Sequence, residues 1–515
     1  MKMKMYKSKI LWGLAGAAMI AASCGDDFIS ETPKGSFIEE NYYTNEEQAF
    51  SGLVSVYDVL RKNSGGFENM ITMLNAGSDD FFAGGGSPSD GAGIHGFDNF
   101  TINDLTVPRS YFGDFYAGIA RANILIIKLP NTQMDEATKA RFTAEARTLR
   151  AFYYFELVNL FGNIPLITEP VNTADAYNVP QSTPAEVYAF IESELLASIA
   201  DLPPVVTANI ELGRLTQGAA KAMLGKAYLY QDKWAEAAAQ FADVNGTPGG
   251  TSMYGYALVD DFASLWSIGN KFNSESILEV AHTNLSNAGW GNWGGGNDEG
   301  NSVNQMVGPR GLNFAEGHTT PTYISGWSFN PVTPELRNLM VGDPRYAATI
   351  FDAPALLAAG ELAATTALPL GYAPADQDTG YFLKKYMPIT SETSTGGGNA
   401  ELNYRQNTYY IRLADTYLME AEALINSGGN AARAQALLDA VRDRVGLGSV
   451  PATLQNIANE RRIELAGEGH RFFDLVRTGN TAPLVPYGFV AGKNEILPLP
   501  FNDIANTLLV QNPNY

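Results

Sequence analysis

Leu224-Gly225-Lys226-Ala227-Tyr228-Leu-Tyr-Gln-Asp-Lys-Trp234-Ala-Glu-Ala237-Ala-Ala-Gln-Phe241 holds two short apolar stripes on either side of a polar turn. Leu224 and Tyr228 stand four apart, as do Ala237 and Phe241, which is the spacing of one helix face. Two antiparallel helices follow, over about 214–230 and 234–243. The small Gly225 and Ala237 let their axes approach, and Tyr228 and Phe241 fill the space between them.

The pair has the tetratricopeptide spacing, L-G-x-x-Y followed by A-x-x-x-F. Leu413-Ala414-x-x-Tyr417 begins a looser copy, with Ala434-x-x-x-Leu438 after a turn lengthened around Gly428-Gly429. Two diverged copies make no extended peptide groove, so the repeats read as a packing scaffold before a peptide-binding array. Apolar periodicity places further helices at 46–62, 109–129 and 135–161, and again at 409–426, 431–445 and 453–466. Thr183-Pro184 opens another, with Glu186 as the capping-box partner of Thr183. In the 135–161 segment Leu149, Tyr153, Leu157 and Leu160 form one stripe and further aromatics cover most of the circumference, the mark of a buried central helix. Residues 77–96 hold seven glycines and no period, which reads as a long loop.

Between about 245 and 400 the helical period fades. The fold expected is mostly α, a tetratricopeptide-like helix-pair scaffold over about 40–243 and 405–480. It carries a large, irregular, loop-rich insert over about 245–400 with few short strands. The insert holds Trp266, Trp290, Trp293 and Trp327, and residues 284–305 alone contain six asparagines and six glycines. Such a backbone is free to present a flat indole, and asparagine offers both donor and acceptor.

At the other end, Lys2, Lys4, Lys7 and Lys9 precede an apolar run from Ile10 to Ile20, then Ala21-Ala22-Ser23 and Cys24, the one cysteine of 515 residues. The run is shorter than the roughly 20 residues needed to span a bilayer. Residues 1–23 therefore read as a removed lipoprotein signal, and Cys24 as the acylated anchor of a body spanning 24–515. The formal charge is −21, and losing those four lysines makes it −25. Such a body repels nucleic acid and polyanions, and neutral or cationic partners are favoured. Four dispersed histidines leave no zinc-site spacing.

Several separated stretches together resemble one family. They are Glu145-Ala-Arg-x-Leu-Arg150-Ala-x-Tyr-Tyr-x-x-Leu-Val-x-Leu-x-Gly162-x-Ile-Pro-Leu166, Asp343-Pro-Arg345, Asn459-Glu-Arg-Arg-Ile-Glu464-Leu-Ala-x-Glu468-Gly-His-Arg471-Phe-Phe-Asp474-Leu-x-Arg477-Thr-Gly479, Leu497-Pro-x-Pro500 and Gln511-Asn-Pro-x-Tyr515. The chain resembles the SusD/RagB-like outer-membrane lipoproteins of glycan-uptake systems, departing in detail at Gly467. The resemblance implies a non-catalytic protein, lipid-anchored at the cell surface in the outer membrane. It would capture a neutral oligo- or polysaccharide and deliver it to a SusC-like TonB-dependent transporter. Family ligand sites draw on loops from the N-terminal region and the insert, which makes the 77–96 loop, with Phe82, a second wall of the site.

On this reading Trp290, Trp293 and Trp327 supply stacking faces, and Asn292, Asp80 and Arg345 supply hydrogen bonds at the edges. An indole face is negative and complements the weakly positive C–H groups of a pyranose. The charged string from Glu460 to Arg477 is expected to be ion-paired structure rather than an acid-base cluster. Gly289-x-Gly291-x-x-Gly294 has tryptophans and asparagine at its variable positions and no strand-turn-helix context, so it is not read as a phosphate cradle. No catalytic residue, metal ligand or cofactor is assigned; a structural calcium among the Asp and Asn loops is left open, with no D-x-D-x-D-G string present. Three alternatives stand beside this reading: capture of peptides by the same shape, a transporter lid without ligand affinity, and a glycoside hydrolase using Asp79 with Asp298 or Glu299.

Overall fold

The computed structural model describes residues 42–172, 175, 178–285, 288–290, 299–392 and 398–515. The signal segment, Cys24, Asn292, Trp293 and Asp298 lie outside the described residues.

The chain is mostly helical. Its first half builds α1 (Glu46–Tyr57), α2 (Met70–Ala76), α3 (Ala92–Asp98), α4 (Arg109–Lys128), α5 (Glu136–Phe161), α6 (Pro184–Ser198), α7 (Gln217–Leu229) and α8 (Trp234–Asn245). Among the described residues the middle region adds only the short α9 (Val303–Met306), α10 (Pro334–Met340), α11 (Tyr346–Thr349) and α12 (Ala353–Ala358). Long helices then resume as α13 (Leu413–Asn426), α14 (Ala431–Asp443), α15 (Leu454–Glu464) and α16 (Arg471–Arg477), with a final turn at α17 (Phe501–Ile504). Among the described residues there are three two-stranded antiparallel ribbons: β1 (Ile164–Pro165) with β2 (Gln181–Ser182), β3 (Ser276–Val280) with β6 (Thr408–Arg412), and β4 (Ile350–Asp352) with β5 (Tyr381–Leu383).

Helix packing runs in sequence from α4 through α5, α6 and α7 to α8, and then jumps to α13 and α14. The helical array is therefore one stack, and the region between α8 and α13 is an excursion from it. α5 is its centre: from Ala144 to Phe161 every residue but Arg147 and Asn159 is buried. Its buried charges are compensated, with Glu145 accepting from Tyr57 Oη (2.6 Å) and Arg141 Nε (2.9 Å), and Arg150 Nε donating to Glu194 (2.8 Å). The Thr183–Glu186 capping box is formed at the start of α6. The excursion packs around its own apolar cluster, which includes Val332, Leu336, Phe351, Phe382 and Tyr386.

Two expectations change. The helix expected over 409–426 begins only at Leu413, because Thr408–Arg412 is strand β6, its five buried residues pairing with β3. The 77–96 stretch is no free loop. Residues 81–85 run antiparallel to 328–332, with Asn330 N–H donating to Ala83 O (3.1 Å) and Gly85 N–H to Ser328 O (2.9 Å), and α3 closes the segment. Gly84 has φ +72°, and a Cβ there would stand 2.2 Å from Ser328 O, so only glycine admits this approach.

In the quoted helix pair, a Cβ on Gly225 would meet the Phe241 ring at 2.7 Å, and Phe241 is fully buried. Gly225→Val should lower unfolding free energy in urea by about 1–3 kcal/mol through overpacking. Adding Phe241→Leu should recover part of that loss, and a neutral single variant would show the contact to be compliant.

Candidate functional site

Trp327 is placed by a close backbone crossing. Its N–H donates to Gln305 O (2.9 Å), and the flanking Gly326 and Ser328 donate to Pro309 O (3.0 Å) and Gly308 O (2.8 Å). A Cβ on Gly326 would lie 1.8 Å from Val307 O, so this crossing needs glycine. The half-buried Trp327 rests on the main core. Trp290, 47% exposed, stacks on it with ring centroids 5.7 Å apart and planes 29° apart. Phe67 lies 6.3 Å from the Trp327 ring and makes a T-shaped contact with Phe329 at 5.4 Å. Trp290, Trp327 and Phe67 thus make a line of ring contacts with Trp327 in common.

A polar rim borders the line. Arg310 Nε donates to Trp327 O (2.9 Å), and its Nη2 donates to Asp90 Oδ2 (2.6 Å), which also accepts from Gly86 N–H (2.7 Å). Asp90 and Gly86 belong to the glycine-rich 77–96 segment, which thereby stands beside Trp327. Both members of the Arg310–Asp90 pair keep about a third of their side-chain surface exposed, at 36% and 34%.

The segment carrying Trp290 is fastened at its base by side chains. Asn403 accepts from Ala288 N–H (3.0 Å) and donates to Ala288 O (2.9 Å), copying a strand partner. His282 Nδ1 lies 2.9 Å from Glu299 O and its Nε2 2.6 Å from Ser64 Oγ. A carbonyl only accepts, so Nδ1 carries the proton and Nε2 accepts from Ser64. Burial pushes this imidazole down to about 4. Among the described residues no group of three or more His, Cys, Asp or Glu could hold a metal ion.

Two expected edge residues stand elsewhere. Arg345 is fully buried, its guanidinium donating to Asp343 Oδ1 (2.9 Å), Glu460 (2.6 Å) and Glu464 (2.8 Å). Asp80 has no exposed surface and accepts from Arg462 Nε (2.7 Å). Burial raises the Asp80 carboxyl, while for Asp79 the same effect is outweighed by Arg471 and Arg462, which hold it down. Neither Arg345 nor Asp80 presents an edge to a ligand, because each is buried against opposite charge in the interior. Asp79 is likewise clamped by Arg471 at 2.8 and 3.0 Å. Phe82 is half-buried and turns its ring toward Tyr487 (6.1 Å) rather than toward the tryptophan pair. Phe67, Asp90 and Arg310 were not anticipated; each sits beside a glycine, and no periodicity distinguishes them in sequence.

Two measurements follow from this geometry. Arg345→Ala should cost about 3–5 kcal/mol in denaturant unfolding by leaving buried carboxylates uncompensated. Arg345→Lys should recover only part, since an ammonium cannot fork among three carboxylates; wild-type stability in either variant would contradict the assignment. For His282 the unfolded chain takes up a proton below about pH 6.5 that the folded chain refuses until about pH 4. Stability should therefore fall by on the order of 3 kcal/mol across that window. His282→Gln should show a correspondingly shallower loss between pH 7 and pH 4.5, and equal slopes would refute the buried neutral ring.

Residues 50–229 match a family profile described as "Starch-binding associating with outer membrane", and residues 370–485 match the profile of the SusD family. A solved "Laminarin binding SusD-like protein" is 59% identical, superposes with a TM-score of 0.88, and is matched over 92% of this chain and 100% of its own. Surface glycan-binding protein A from Bacteroides thetaiotaomicron, solved in complex with laminarihexaose, is 28% identical with a TM-score of 0.79 over 92% of this chain and 100% of its own. A SusD-like protein of Bacteroides ovatus is 26% identical over 501 residues, covering 91% of this chain and 82% of the relative. The match to the 59% identical relative runs through both halves of the helical stack and the excursion between them, and the chain belongs to the SusD family.

Proposed function

We propose that this protein is a cell-surface lipoprotein that captures a neutral glucan of the laminarin kind and passes it, without breaking a bond, to a SusC-like TonB-dependent transporter. The observation that carries the reading is the stacked Trp290–Trp327 pair beside the Arg310–Asp90 rim. The exposed indole offers a negative face to the C–H groups of a sugar ring. Arg310 and Asp90 then offer a charged donor and a charged acceptor to hydroxyls at its edge, where such hydrogen bonds are strongest. A formal charge of −21 supports an uncharged ligand over a sulfated or uronate polymer. The ligands named for two relatives, laminarin and laminarihexaose, support the same class. Acylated Cys24 would hold the body at the outer membrane beside its transporter, with acyl methylenes each adding about 0.8 kcal/mol of membrane affinity.

Calorimetry with laminarihexaose on the chain from Gly25 onward tests this. The parent should bind, and Trp290→Ala should weaken binding at least tenfold, about 1.4 kcal/mol, with its melting temperature little changed. A parent that binds no neutral glycan would overturn the reading in favour of peptide capture or a lid. Release of reducing sugar on prolonged incubation would overturn the binding-only role.

A further inference from the structure

The aromatic line does not end at Trp327. Phe67, 6.3 Å from the Trp327 ring, is also one wall of a separate cleft of about 360 Å³. That volume lies within the roughly 300–1,000 Å³ range of small-ligand clefts. Its polar walls come from the turn after α1 and from the outer face of α4, and include Arg61, Glu68, Asp114 and Arg121.

These groups are tied into balanced pairs. Arg121 Nη1 donates to Asp58 Oδ2 (3.0 Å), and Arg61 Nε lies 3.3 Å from the other oxygen of the same carboxylate. Lys62 Nζ donates to Ser110 Oγ (2.6 Å) and stands 3.8 Å from Asp114, while Ser110 donates to Glu68 (3.2 Å). Three cations thus face three carboxylates: the cleft is dense in charged donors and acceptors yet has no net charge. An anion or a cation gains nothing from such a lining. A neutral polyol gains from both signs, because each hydroxyl donates and accepts. The outward members keep surface for it, with the Arg121 and Asp114 side chains 41% and 46% exposed.

We propose that this cleft is a second subsite of the same glycan surface. An oligosaccharide stacked on Trp290 and Trp327 continues over Phe67, and its next residues bring their hydroxyls to Asp114, Arg121 and Glu68. The proposal rests on the glycan reading above and adds to it a dependence on chain length. A short oligosaccharide is held by the tryptophan pair alone, and a longer one by pair and cleft together.

The test titrates laminaritriose and laminarihexaose into the chain from Gly25 onward and three variants of it. Asp114→Ala removes a cleft acceptor, and Ala117→Leu adds bulk at an exposed position of the cleft wall. Each should weaken laminarihexaose at least fivefold and leave laminaritriose unchanged, whereas Trp290→Ala should weaken both. Hexaose affinity within twofold of the parent in both cleft variants, with Trp290→Ala still defective, would overturn the second subsite and leave the glycan reading standing. Equal losses for triose and hexaose in the cleft variants would also overturn it, since the cleft would then not be a separate extension. A parent that binds neither oligosaccharide overturns both readings together.

Discussion

Glu464 is the constraint on which the architecture depends. Fully buried at the end of α15, its side chain accepts from Arg345 (2.8 Å), Arg412 (2.6 Å) and Arg444. Burial alone would raise this carboxyl; the three guanidinium groups outweigh it and hold it well below the usual range. Around it Glu275, Glu460, Glu468 and Asp343 pair with the same arginines and with Lys385 and Arg442. Such a network costs desolvation that its attraction only roughly offsets, so its contribution is to position rather than to net stability. What it positions is decisive. Asp343, Arg345 and Lys385 belong to the excursion, Arg412 ends β6 and Glu275 directly precedes its partner β3, and Arg444 follows α14. One carboxylate thereby fixes the excursion, the ribbon and the last helices relative to one another.

The consequence reaches the ligand surface by a short path. Arg462 and Arg471, on either side of the buried Glu464–Glu468 segment, hold Asp79 and Asp80. Those aspartates begin the segment that runs antiparallel to residues 328–332, directly after Trp327. Trp327 is therefore presented by a backbone clamped from beneath rather than by a free loop. A stacking face held in place has little entropy left to lose on binding, which is where preorganised sites gain affinity.

Charge is arranged in the same spirit at two depths. Inside, every member of the Glu464 network is matched, and at the surface the cleft beside Phe67 balances three cations against three carboxylates. On the proposed reading, a neutral, hydroxyl-rich ligand would meet donors and acceptors without leaving an unpaired buried ion.

Helix existence and caps were legible in the sequence because they depend on neighbours three and four residues away. Leu224 to Phe241, the Thr183–Glu186 box and the apolar circumference of 144–161 each carry their signal locally. The strand at Thr408–Arg412 was not legible, because its partner lies more than a hundred residues earlier. The exposure of Trp290 followed from the glycines and asparagines around it. That its face would lie on Trp327, with Phe67, Arg310 and Asp90 as neighbours, is a matter of backbone crossings at Gly84 and Gly326 that leave no periodic trace. For Arg345 and Asp80 the residue type suggested a polar edge, yet burial decides whether a charge faces a ligand or another charge. The sequence by itself determined the helical stack, the excursion rich in tryptophan and glycine, and the sign of the net charge. Only the tertiary structure decided which charges were consumed in the interior and which kept exposed surface, because both ion pairing and stacking act between residues that chain order keeps far apart.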